Sequence, residues 1–152
     1  MAGQVDDTLP DRAAVRELVE AYAQRADRAD GERAAELFTP DATLTVYITP
    51  EAPEPTSVRR GRADIAEALD SVRRYRTALH IIASHTSTVT GDRADGETRC
   101  IAHHVYGEAG AERDRVLFIR YQDQFVRDGG RWLIAARELR VDAVTDRPLR
   151  SE

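Results

Sequence analysis

The sequence predicts an α+β domain in which three helices lie against one face of a curved antiparallel sheet. Three observations carry that expectation: an apolar stripe at helical spacing between Asp11 and Asp27, four long β-type runs after Ala78, and a Gly-Gly turn joining the last two runs. A chain of 152 residues holds one domain with a real core and is too short for two ordinary ones. The domain is expected over 11–143, between flexible tails at 1–10 and 144–152.

From Asp11 to Asp27, Val15, Leu18, Val19, Tyr22 and Ala26 recur on one helical face. Asp30 can cap a short second helix whose buried side carries Leu37 and Phe38, so two helices meet near Asp27. Thr39-Pro40-Asp41 reads as a turn, and Thr43 to Ile48, rich in β-branched and aromatic residues, as a strand. The segment from Thr49 to Pro55 contains three prolines and is expected to be an exposed loop. Ser57 to Arg60 reads as a short strand, and Gly61 leads into a third helix with Ile65, Leu69 and Val72 on its inner side. Four strands follow, over Ala78–Thr90, Ala94–Tyr106, Arg115–Arg127 and Arg131–Ala143. At about 13 residues they exceed the usual length of roughly five or six, which predicts bending at bulges and a cupped sheet able to enclose a pocket.

Composition excludes several classes of function. All 22 basic residues are arginine, so lysine Schiff-base chemistry, Walker-type phosphate binding and pyridoxal attachment are ruled out. The lone Cys100 allows no internal disulfide and no cysteine-rich zinc site. Net charge is -5, which offers no general attraction to nucleic acid or to an anionic membrane. No apolar run approaches the roughly 18 residues that span a bilayer, and the first ten residues lack the pattern of a secretory signal. A cytoplasmic location is the expectation.

Asp27 ends the first helix and His80 opens the first long strand. A carboxylate that orients an imidazole makes a general base, which points to proton abstraction in a pocket. The alternative is an exposed helix-end aspartate and a structural histidine. His103 and His104 are adjacent on one strand and must face opposite sides. His103, which shares its face with Ile101 and Val105, is taken as the pocket residue, against a hydrogen-bonded core histidine; His85 is read as structural or exposed. Arg137 offers a cationic fork to developing negative charge, or else a salt bridge to Asp123. Tyr22 sits on the stripe centre, with its hydroxyl either in the cavity or in the core. The histidine spacings match no common metal-ligand pattern, so no metal is expected.

Taken in order, Tyr22…Asp27-x-x-Asp30, Leu37-Phe38-Thr39-Pro40-Asp41-Ala42, Gly61…Ile65, His80, Gly91-Asp92-x-Ala94, Tyr121-x-Asp123 and Trp132…Arg137 resemble the SnoaL-like branch of the nuclear transport factor two-like superfamily. The resemblance runs from about Asp11 to Val141. It implies a cone-shaped curved sheet, antiparallel or mixed, with helices on its concave face, dimerisation through the sheet and a small apolar ligand inside. Scytalone dehydratase and a hexachlorocyclohexane dehydrochlorinase of this branch pair a histidine base with a first-helix aspartate, positions that His80 and Asp27 match. His103 best matches a second dehydratase histidine, and Arg137 a dehydrochlorinase arginine. Ala26 and Val46 stand where the dehydratase has tyrosines, which argues against that particular activity.

The expectation is therefore a cofactor-independent lyase or isomerase of dehydratase, cyclase or double-bond isomerase type. It would act on a small apolar polyketide, terpenoid or aromatic molecule and form a homodimer or higher homo-oligomer. Two alternatives share the fold: a non-catalytic ligand-binding dimer, and the small structural subunit of an aromatic-ring dioxygenase.

Overall fold

A computed structural model of the chain describes residues 7–149. Helix α1, Leu9–Asp27, begins at a proline in its first turn and buries Val15, Leu18, Val19, Tyr22, Ala23 and Ala26, the stripe that its spacing predicts. Asp11 in that first turn accepts hydrogen bonds from Trp132 Nε1 (3.0 Å) and Arg127 (2.7 Å), which fastens the helix start to the far hairpin. Helix α2, Gly31–Ala35, is capped by the Asp30 side chain. It lies so close to α3, Gly61–Asp70, that a β-carbon on Gly31 would sit 2.2 Å from the Ala66 carbonyl oxygen, while the Gly31 N–H donates to Asp70 Oδ1 at 2.9 Å. A single 3-10 turn, Ser71–Arg74, continues α3 toward the next strand.

Six strands form one curved, unclosed sheet: β1 (Phe38–Tyr47), β2 (Ser57–Arg60), β3 (Thr77–Thr90), β4 (Arg93–Tyr106), β5 (Arg113–Asp128) and β6 (Arg131–Pro148), in the order β2-β1-β6-β5-β4-β3. Every pairing is antiparallel except β1 with β6, so the sheet is mixed. The three helices pack on one face, where Ala94, Thr98, Cys100, Ala102, Tyr121 and Phe125 are buried.

Three boundaries differ from expectation. Leu37 and Phe38 lie beyond the end of α2 at Ala35 rather than on its buried side, and Phe38 opens β1. Thr39-Pro40-Asp41 is not a turn but the irregular start of β1: the register with β6 slips between Phe38 and Thr43, which accommodates a proline that has no N–H to donate. Arg62 clamps this stretch with two hydrogen bonds to the Phe38 carbonyl (2.9 and 2.7 Å). The expected tail at 144–152 is strand as far as Pro148, with Val116↔Thr145 and Arg113↔Pro148 in register and Arg113 bonded to Asp146 at 2.6 Å. Polar and charged residues follow one another there, so cross-strand pairing rather than apolar patterning holds it. The expected tail at 1–10 lies largely outside the described residues, although α1 already starts at Leu9. Among the described residues no helix is long and apolar enough to cross a membrane.

Candidate active site

Strand β3 is an edge strand, so alternate backbone N–H groups on its open side lack a sheet partner. Asp27, at the last turn of α1, supplies one. Its Oδ1 accepts the His80 backbone N–H at 2.8 Å and also contacts His80 Nδ1 at 2.7 Å. A carboxylate oxygen accepts here, so Nδ1 is the donor in this contact and Nε2 is the ring nitrogen that the carboxylate does not engage. The His80 side chain is 8% exposed and that of Asp27 21%, so the pair is shielded without being sealed. The two residues that the sequence singles out for a base are in contact.

The second histidine is corrected. Counted back from the Gly91-Asp92 turn, Thr90 faces Arg93 and Ser84 faces Arg99, but the register slips by one residue between Ile82 and Ser84. His80 therefore faces Ala102 rather than His103, and the neighbour on its own face is His104. The His104 ring lies 5.5 Å from His80 in an edge-on arrangement and is stacked on Tyr75 at 4.3 Å. Burial, the facing His80 ring and the Arg74 and Arg115 cations push the His104 imidazole down to about 4, so it is neutral at pH 7. Its Nε2 is buried without a hydrogen-bond partner.

His103 points to the opposite face, away from the helices. Its Nδ1 contacts the buried Asp114 carboxylate at 2.9 Å, and Arg147 joins the same carboxylate at 3.3 Å. Ile101 and Val105 do share its face, but Ile101 pairs there with the exposed Phe118, so their apolar character marks the outer surface rather than a pocket.

Arg137 and Tyr22 are together in the core. The Arg137 fork is bidentate on Asp123 (2.7 and 2.8 Å), both side chains are fully buried, and the guanidinium lies between the rings of Tyr22 and Tyr121 at 4.1 and 4.2 Å. Burial disfavours the cation, yet the Asp123 carboxylate outweighs it and holds the Arg137 pKa above its ordinary range; burial raises the Tyr22 hydroxyl. This is the salt-bridge alternative, and it takes up the fork expected to meet substrate. Val46 packs against the core while Tyr47 is covered by Arg140, so neither places a hydroxyl beside His80. His85 bonds Thr98 Oγ1 at 2.8 Å, the structural role expected of it. Burial raises the Cys100 thiol to about 11. Among the described residues no three His, Cys, Asp or Glu converge as a metal site.

Two recesses in the surface lie elsewhere, one on the sheet face away from the helices, lined by Thr43, Thr86, Asp95 and Glu97 among others, and one between α1 and β3 beside Arg12 and His85. Neither includes Asp27 or His80. The row of side chains shared with His80 runs through Ala102 and Leu117 to Val144, which is 43% exposed, so this apolar row opens to solvent at its β6 end.

Tyr75, Arg74 and Arg115 were not singled out from the sequence. The alternation of His104 with His103 is the one signal that reaches them, once the slip in β3 is known.

An unclosed curved sheet with three helices on one face and a carboxylate–imidazole contact at its edge defines the class of protein. The chain belongs to the SnoaL-like domain family, whose model matches residues 7–138. It is similar to Rv3472 from Mycobacterium tuberculosis, a protein of unknown function, at 26% identity over 92% of this chain and 76% of that one, with a TM-score of 0.77. A candidate scytalone dehydratase from Novosphingobium aromaticivorans shares the fold at 24% identity, covering 97% and 95% of the two chains with a TM-score of 0.79. So does the hexachlorocyclohexane dehydrochlorinase LinA-type3 from Novosphingobium barchaimii, at 20% identity, 96% and 94% coverage and a TM-score of 0.76. No match was found among curated proteins.

Proposed function

We propose that the chain is a cofactor-independent lyase or isomerase whose general base is His80 supported by Asp27. The observation that supports this reading is the Nδ1 to Oδ1 contact of 2.7 Å, which leaves Nε2 as the ring nitrogen not engaged by the carboxylate. In the proposed step Nε2 takes a proton from an acidic C–H, and the freed electron pair forms a double bond as hydroxide or halide departs, or is reprotonated at another carbon. Asp27 stabilises the imidazolium that forms. His104, neutral and beside His80, takes the place expected of His103 and serves as hydrogen-bonding partner for the substrate. The dehydratase and dehydrochlorinase names among proteins of the same fold agree with a proton-abstraction chemistry.

The reading includes a cytoplasmic location and a homodimer. Leu79, Ile81 and Phe118 are 46%, 43% and 42% exposed on the sheet face away from the helices, an apolar area that a second copy would cover. Polyketide, terpenoid, steroid and aromatic compounds incubated with wild type and His80→Ala test the function. Turnover by wild type alone supports it; equal turnover by both proteins overturns it. Binding without conversion, unchanged by Asp27→Asn, would favour a non-catalytic ligand carrier.

A further inference from the structure

The row next to that of His80 holds an arrangement the base does not use. Ala78, His104 and Arg115 face one another across β3, β4 and β5, on the same side of the sheet as His80, Ala102, Leu117 and Val144. Arg115 is exposed and makes no ion pair among the described residues. Its cross-strand neighbour Asp146 is already engaged by Tyr106 (2.6 Å) and Arg113 (2.6 Å). On the other side of His104, Tyr75 stacks on the imidazole, and Arg74 lies over Tyr75 at 5.0 Å with its Nη2 donating to the Tyr75 hydroxyl at 3.1 Å. Arg74 likewise has no carboxylate partner among the described residues.

Two cations with no carboxylate in ion-pair contact among the described residues thus flank the His104 end of an apolar row, in a chain whose net charge is negative. Several arginines in this molecule are paired, as Arg137 with Asp123, Arg99 and Arg120 with Asp142, and Arg113 with Asp146, while Arg62 is held by the Phe38 carbonyl instead. Arg74 and Arg115 neighbour His104, whose ring faces His80. The Nε2 of His104 is buried and unpartnered within the protein.

We propose that the substrate of this site carries a carboxylate that docks on Arg115, with Arg74 adding positive potential, while its apolar body lies over Leu117 and Val144 and its acidic C–H faces His80. This rests on the reading of His80 as a base and adds the substrate class: an aromatic or polyketide-like acid rather than a wholly apolar molecule. A guanidinium fork matches a carboxylate in two parallel hydrogen bonds, which a neutral amide or ester does not reproduce. The dimensions agree with a molecule of one or two rings. Two residues along a strand and two strand spacings put the His80 and Arg115 α-carbons roughly 12 Å apart, on the same side of the sheet.

The test is equilibrium binding of 2-naphthoate and of 2-naphthamide, its neutral counterpart of equal shape, to wild type, Arg115→Gln, the Arg74→Gln/Arg115→Gln double variant, His80→Asn, and Arg131→Gln as a distant arginine control. Wild type is expected to bind the acid at least tenfold tighter than the amide. That preference should weaken with added salt, drop below about threefold in Arg115→Gln and disappear in the double variant, and persist in His80→Asn and Arg131→Gln. Equal affinity for acid and amide, no detectable acid binding by folded wild type, or a preference that survives in the double variant overturns the proposal. Because the readout is affinity, an inactive base leaves these outcomes unchanged, so failure of the anchor and failure of the base are separable.

Discussion

At the scale of single residues, the site depends on which protons its groups hold. His104 has its pKa pushed from 6.5 to about 4 in the folded chain, so between those values the unfolded chain binds more protons than the folded one. Stability from this group is complete above pH 6.5 and is lost as pH falls toward 4. Urea midpoints measured from pH 7 to pH 4 should therefore decline, and His104→Gln should flatten that decline; an identical slope in the variant would remove His104 as its source. The buried Arg137–Asp123 pair gives a second residue-level expectation. Asp123→Ala leaves an uncompensated buried cation and should lower unfolding free energy by about 3–5 kcal/mol, read by chemical denaturation, whereas a loss below about 1 kcal/mol would mean that water reaches the guanidinium. The contact between Asp27 and His80 was legible mostly because both positions match the SnoaL-like frame, one at the end of an amphipathic helix and the other at the opening of a β-type run. The face of His103 was not, because a single-residue slip near Ala83 inverts which of two adjacent histidines looks inward.

At the scale of elements, periodicity disclosed α1, α3 and the four long strands, since each buries one regular face. It failed where something other than burial sets the backbone. Thr39-Pro40-Asp41 carries turn residues yet belongs to β1, because a bulged parallel register and the Arg62 clamp accept a proline there. The end of β6 is strand through pairing and the Arg113–Asp146 contact, with no apolar alternation to announce it. Gly31 sets how closely α2 approaches α3 and thereby helps fix the turn after Asp27. Gly31→Ala forces the Ala66 carbonyl to move, with an expected cost of about 1–3 kcal/mol in thermal or urea unfolding; a neutral substitution would show that α2 can back away freely.

At the scale of the whole molecule, the two faces of β3–β5 differ in chemistry. The helix-facing side carries His80, His104 and Arg115, with Asp27 reaching His80 from α1, and the opposite side carries Leu79, Ile81, His103 and Phe118. If the second face pairs with another copy, Ile81→Arg should shift sedimentation from dimer to monomer while the helix-side site is preserved; a wild type that sediments as a monomer would contradict the pairing. The central claim concerns the first face. Its most direct measurement is kcat/KM of Asp27→Asn against wild type on a compound that wild type converts. The asparagine oxygen can still accept the His80 backbone N–H but supplies no charge to an imidazolium, so the fold should persist while kcat/KM drops by about 100-fold or more. A folded Asp27→Asn protein with wild-type kcat/KM would show that His80 is not a carboxylate-supported base.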